Sequence, residues 1–141
     1  LKSFPFFYQS YPMDCGPTCL RMIAAYYGKH FDPEGMKNMS RISLKGSSML
    51  DLMNAAFRLG LKCAGFEVNT VQLAEAGLPA ILHWDQQHFV VLFRIKNHTY
   101  YIADPAVGIF KLCRPAFLRH WQNPESTQPG TGVILTFSAL P

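Results

Sequence analysis

The segment Gln9-Ser10-Tyr11-Pro12-Met13-Asp14-Cys15-Gly16-Pro17 carries the residue types best suited to chemistry. A thiol in the first turn of a helix feels the helix dipole and the unpaired backbone N–H groups there, and both favour thiolate over thiol. A thiolate is a strong nucleophile. It works better beside an imidazole that takes the thiol proton and returns it to the leaving group. A third group must hold that imidazole, and acyl transfer also develops an oxyanion that needs donors. The backbone N–H of Cys15 is one candidate donor, and the side-chain amide of Gln9 is another. A cysteine near a helix start also serves as a small buried hydrophobe, which is how Cys19, Cys63 and Cys113 are read.

Five histidines compete for the role of base. His30, His98 and His120 fall in loops or on an exposed helix and read as surface residues. His83 and His88 flank Trp84-Asp85-Gln86-Gln87. His88 opens the most apolar strand, where a strand end presents its side chain either to the core or to a cleft. His83 is a candidate for substrate contact. Asp104 follows the hairpin partner of that strand, and a hairpin sets the start of one strand beside the end of the next. His88 and Asp104 should therefore be neighbours, although an Asp-Pro pair is also an ordinary strand terminator. Asp85 is a second candidate carboxylate. Asp14 is expected to cap the helix, since its charge would oppose ionisation of Cys15.

These residues need elements to position them. A helix is expected from Asp14, with Pro17 tolerated in its first turn and Gly28 as its stop. A second follows Asp32-Pro33-Glu34 and runs to about Met39. A third starts at Ser47 or Ser48, with Leu50, Met53, Ala56 (or Phe57) and Leu59 as its buried stripe, and ends at Gly60. The second half changes character. Strands are expected at residues 61–68, 79–83, 88–95, 99–103, 108–112 and 133–137, with short helices at 71–76 and 114–121. His88 to Ile95 is a continuous apolar, β-branched and aromatic run, the mark of a strand buried on both faces. Helices first and mainly antiparallel strands after is the α+β pattern.

Composition sets bounds. The 141 residues are 49% hydrophobic and 16% charged, which excludes a disordered chain, a collagen and a disulfide scaffold. The length predicts a single domain, 1–141. The net charge of +4 is scattered, with no Lys/Arg run suggesting nucleic acid or a polybasic anchor. No apolar run approaches the roughly 18 residues that span a bilayer. Four cysteines in a chain this apolar are expected to be free thiols. Their spacings do not match a zinc site.

Taken together, Gln9-x4-Asp14-Cys15-Gly16-Pro17, Tyr26-Tyr27-Gly28, His88-Phe89-Val90-Val91-Leu92, Asp104-Pro105 and Gly108 resemble the bacteriocin-processing cysteine peptidases at the N-termini of peptidase-containing ABC transporters. The resemblance runs from about Phe4 to Phe137. It implies a papain-like α+β fold and a Cys-His-Asp triad carried onto Cys15, His88 and Asp104, with Gln9 matching the oxyanion glutamine. It implies cleavage of leader peptides after Gly-Gly or Gly-Ala, on the cytoplasmic side of the bacterial inner membrane, followed by export of the cargo. A narrow passage to the thiol would account for glycine selectivity. The partners implied are the leader peptide, bound as an amphipathic helix, and the transporter's transmembrane and nucleotide-binding domains. The chain does not begin with Met, which fits an excised domain. It has no phosphate-binding glycine loop of its own, and no cofactor is expected. Two other readings stay open: a silent leader-docking module, and another papain-like thiol acyl-transfer enzyme.

Overall fold

The computed structural model describes residues 3–40 and 46–140. A short 3-10 turn, Pro12–Asp14, leads directly into α1 (Cys15–Tyr26). α2 (Pro33–Ser40) and α3 (Met49–Arg58) complete the helical half. The second half is β1 (Leu61–Val68), α4 (Thr70–Glu75), β2 (Ala80–Trp84), β3 (His88–Lys96), β4 (Thr99–Asp104), β5 (Gly108–Cys113), α5 (Arg114–Trp121) and β6 (Gly132–Ala139). The six strands form one sheet in the order β1-β6-β2-β3-β4-β5, with every neighbouring pair antiparallel. This is the expected α+β, papain-like arrangement of N-terminal helices on an antiparallel sheet.

The sheet separates two cores. On one face, Cys19, Leu20, Met22 and Ile23 of α1 pack with Leu52, Ala55 and Ala56 of α3 against Ile81, Phe89 and Val91. On the other, Phe117 and Trp121 of α5 pack against Leu82, Trp84, Val90, Leu92 and Tyr100. Alternate residues of β3 thus serve opposite cores, which is why its sequence is apolar without a polar face. Each large aliphatic side chain fully buried here contributes about 1.5–3 kcal/mol over an exposed one.

Local signals fix the helix ends. α1 stops in a Schellman turn: the Lys29 N–H donates to the Ala24 carbonyl (2.8 Å), the Gly28 N–H donates to Ala25 (3.0 Å), and Gly28 takes φ +82°. α3 starts with a reciprocal capping box between Ser48 and Asp51. α4 has the same device between Asn69 and Gln72.

Two expectations are corrected. The buried stripe of α3 is Leu52, Ala55, Ala56 and Leu59, whereas Leu50 and Phe57 are 64% and 69% exposed. The small alanines face inward and let α3 approach closely; Leu52 packs so near α1 that a Cβ at Gly16 would meet its Cδ2 at 3.0 Å. Asp14 makes no side-chain capping bond to α1. Its carboxylate turns instead to α2, 3.4 Å from Lys37 Nζ.

Candidate active site

Three elements converge on Cys15. α1 presents the thiol from its first residue, β3 presents His88 from its first, and β4 presents Asp104 from its last. The β3–β4 hairpin brings the latter two together: His88 Nε2 lies 2.7 Å from Asp104 Oδ1. The same oxygen accepts the Ala106 N–H at 2.9 Å. Asp104 is only 5% exposed, so its carboxylate is both fixed and shielded. With Nε2 committed to Asp104, Nδ1 is the nitrogen left for the hydrogen bond between His88 and the Cys15 thiol.

The electrostatics follow from this geometry. Burial opposes ionisation of Cys15, but the hydrogen bond and positive charge of His88, with backbone hydrogen bonds at Phe89 and Gly16, hold its pKa below the ordinary thiol value. Burial likewise opposes charge on His88. Hydrogen bonds to Asp104 and Cys15, and their negative charges, prevail and push its pKa up to about 9. The pair is therefore arranged to exist as thiolate and imidazolium.

Gln9 reaches the site on an N-terminal strap. Phe4 stacks on Phe93 (4.8 Å between centroids, 9° between planes) and the Arg21 guanidinium lies 3.7 Å from the Phe7 ring centroid. The Gln9 N–H donates to the Pro105 carbonyl at 2.9 Å, tying the strap to the turn that follows Asp104. Its side-chain Nε2 donates to the Tyr11 carbonyl at 3.1 Å, across the turn that precedes Cys15. A second, longer bond from Nε2 reaches the Pro12 carbonyl at 3.4 Å, so donation to a substrate requires the amide to leave one of these carbonyls.

The other candidates are placed elsewhere. Asp85 does not reach His88; its Oδ1 lies 2.7 Å from His120 Nδ1. His83 packs its ring on Phe89 at 5.5 Å, and burial lowers its pKa. Cys19 lies one turn inside α1 and donates its thiol to the Phe89 carbonyl at 3.3 Å, with burial pushing its pKa well up. Burial also raises the Cys63 thiol, to about 11. All four cysteines are free, and Cys113, expected to be a buried hydrophobe, is exposed at the end of β5, where alternate residues face solvent. His120 is exposed, as its place in the sequence predicts, and its bond to Asp85 has no local sequence signal. The two lie 35 positions apart in sequence, and neither local pattern marks the pair.

A thiol, an imidazole and a carboxylate arranged in this way on a papain-like fold are the layout of the cysteine peptidases as a class. Within that class the chain belongs to the Peptidase C39 family, whose sequence profile matches residues 3–124. A double glycine motif protease from an AMS/PCAT transporter, crystallised in complex with the leader peptide, is 32% identical. It aligns over 96% of this chain and 91% of its own, with a TM-score of 0.83. The peptidase domain of Streptococcus ComA, a bi-functional ABC transporter, shares the fold (TM-score 0.82, 22% identity, 99% of this chain and 100% of its own). The colicin V secretion/processing ATP-binding protein CvaB of Escherichia coli is 32% identical over 85% of this chain. The lactococcin-G-processing and transport ATP-binding protein LagD of Lactococcus lactis is 30% identical over 91% of it. The chain spans 17% and 18% of the length of those two relatives. Among the described residues no helix is long and apolar enough to cross a membrane.

Proposed function

We propose that this chain, residues 1–141, is a single leader-peptidase domain of an ABC exporter. It cuts a precursor after a Gly-Gly or Gly-Ala pair, and the released cargo leaves through the same transporter. The observation that carries this reading is the hydrogen-bonded series Cys15–His88–Asp104, with the His88 to Asp104 bond at 2.7 Å. Family membership and the leader-bound relative support the substrate class.

The mechanism uses this chain's own residues. The Cys15 thiolate attacks the carbonyl carbon of the second leader glycine. Negative charge builds on the carbonyl oxygen, where the Cys15 backbone N–H and a Gln9 side-chain N–H that exchanges its long Pro12 bond for the oxyanion donate to it. His88, as imidazolium, gives its proton to the departing amine, and the cargo peptide leaves. Neutral His88 then takes a proton from water, whose oxygen attacks the thioester and frees the leader carboxylate and the thiol. Asp104 orients the imidazole and stabilises its charged form. In the intact exporter, transmembrane and nucleotide-binding domains are the expected partners, and the peptidase would work on the cytoplasmic side of the inner membrane.

The test is mass spectrometry of the domain incubated with a synthetic double-glycine leader–cargo peptide, beside the Cys15→Ala variant. One cut after Gly-Gly, absent in the variant, is expected, with leader binding retained. Binding without cleavage by the wild type would instead identify a docking module.

A further inference from the structure

The turn that delivers His88 holds a residue ill suited to its shape, Gln86. Trp84 and His88 face each other across β2 and β3, and Asp85, Gln86 and Gln87 connect them. Asp85 (φ 50°) and Gln86 (φ 66°) both adopt the left-handed conformation. Hairpin turns with two such residues favour Asn or Asp followed by Gly, so Asp85 suits its position and the longer side chain of Gln86 is the one strained where glycine is preferred. Within the turn, one bond helps: the Gln87 N–H reaches the Trp84 carbonyl at 3.3 Å.

The His83 ring adds a hydrogen bond to the Gln86 backbone, and further support comes from α5. The Asp85 N–H donates to the His120 carbonyl at 2.8 Å. The Asp85 carboxylate accepts from His120 Nδ1 at 2.7 Å. The His120 ring lies parallel to the Trp84 indole, with 5.1 Å between centroids and 8° between planes. One residue in the last turn of α5 thus holds Asp85 by backbone and side chain, and Trp84 by its ring. An exposed ion pair alone contributes little to stability. Here three contacts act on one strained conformation. Their base is rigid, since Trp84 is 2% exposed and packs on Phe117 of α5 at 5.6 Å.

We propose that Asp85 and His120 are positioning residues for His88, clamping the β2–β3 turn in its left-handed form and so fixing where β3 begins. The inference rests on Cys15 and His88 being nucleophile and base. Asp104 fixes the imidazole ring, and the clamp fixes the main chain that carries it. A misplacement of about 1 Å in a catalytic group costs up to roughly a hundredfold in rate.

Two readouts test this: turnover of a synthetic double-glycine leader peptide, and the pH dependence of Cys15 alkylation by iodoacetamide. His120→Ala should lower kcat about tenfold or more. KM should stay within about twofold. The alkylation profile should move to higher pH as His88 leaves the thiol. Adding Asp85→Asn and Gln86→Gly, which suit a left-handed turn without His120, should restore both readouts towards wild type. A role in overall stability alone would move the melting temperature and leave the alkylation profile in place. The proposal is overturned if His120→Ala matches wild type in both readouts, or if the triple variant stays as slow as His120→Ala. Should His120→Ala fail to fold, the triple variant decides: folded and active supports the clamp, unfolded or inactive refutes it. Failure of the functional reading would look different. The wild type would leave the peptide uncut, and the alkylation profiles would still report on the clamp.

Discussion

His88 Nε2 and Asp104 Oδ1 stand 2.7 Å apart, and the same carboxylate oxygen holds the Ala106 amide. The carboxylate is fixed by its own turn before it fixes the imidazole. Asp104→Asn keeps the shape and removes the charge. It should lower kcat about ten- to a hundredfold with little change in KM. It should also bring the His88 pKa down from about 9, because the Asp104 charge and hydrogen bond are among the causes that raise it. Steady-state kinetics and an NMR titration of the His88 ring check both. An unchanged titration would show that Asp104 does not set the charge of His88.

The pH dependence has a definite sign on each side. Cys15 titrates below an ordinary thiol and His88 at about 9, so the thiolate–imidazolium pair occupies the interval between them. Activity should rise as the thiol ionises and fall as pH passes about 9. Stability follows the same logic. The raised His88 pKa contributes stability that is complete below its unfolded value near 6.5 and disappears as pH rises through about 9. The lowered Cys15 pKa contributes stability that is complete above its unfolded value and disappears as pH falls through the folded one. Cleavage and alkylation profiles over the same buffers check the prediction, with Cys113→Ser removing the exposed thiol. Cys19 and Cys63, both raised by burial, should stay unalkylated when Cys15 reacts at neutral pH. A profile climbing without a break past pH 10 would rule out the paired description.

Much of this was legible in sequence where the signal was local. Asp32-Pro33 and Ser48 mark helix starts, Gly28 marks a stop, and the β3–β4 hairpin by itself predicts that His88 and Asp104 meet. What escaped depended on packing between distant segments. Two stripes on α3 share helical spacing, and large side chains favoured Leu50 and Phe57. The close approach of α3 to Gly16 selects Leu52, Ala55 and Ala56 instead. Asp14 precedes a helix, yet Lys37 of α2 offers a charge that a capping role would forgo. Nothing in the residues around His120 announces Asp85 as its partner.

Gln9 provides a separate test of the oxyanion site. Its backbone is held by the Pro105 carbonyl and its side chain by the Tyr11 and Pro12 carbonyls, so the amide is held in place before substrate arrives. Gln9→Ala should lower kcat about a hundredfold, the range for loss of one oxyanion donor, and barely alter KM. Gln9→Glu keeps the size, removes the donor and adds a negative charge, and should be at least as damaging. Full turnover by the glutamate variant would exclude donation by this side chain.

Gly132 opens β6 directly against the Trp121 indole. A Cβ at this position would lie 2.3 Å from Cε2 and 2.4 Å from Cδ2, far inside van der Waals contact. The ring has nowhere to retreat. It is 2% exposed, it packs on Phe117 at 5.3 Å, and Phe117 is stacked on Tyr100 at 4.1 Å. Its Nε1–H also donates to the Val133 carbonyl at 3.2 Å, one residue along the same strand. Gly132→Ala should therefore destabilise the fold by about 2–3 kcal/mol, as overpacking of a rigid core does. The cause can be isolated with a double-mutant cycle. In a Trp121→Leu background the added methyl meets a smaller, branched side chain, and its cost should fall below about 1 kcal/mol. Urea denaturation of the four variants gives the coupling directly. If Gly132→Ala costs the same with and without the indole, the glycine is required for its backbone and not for the space it leaves to Trp121.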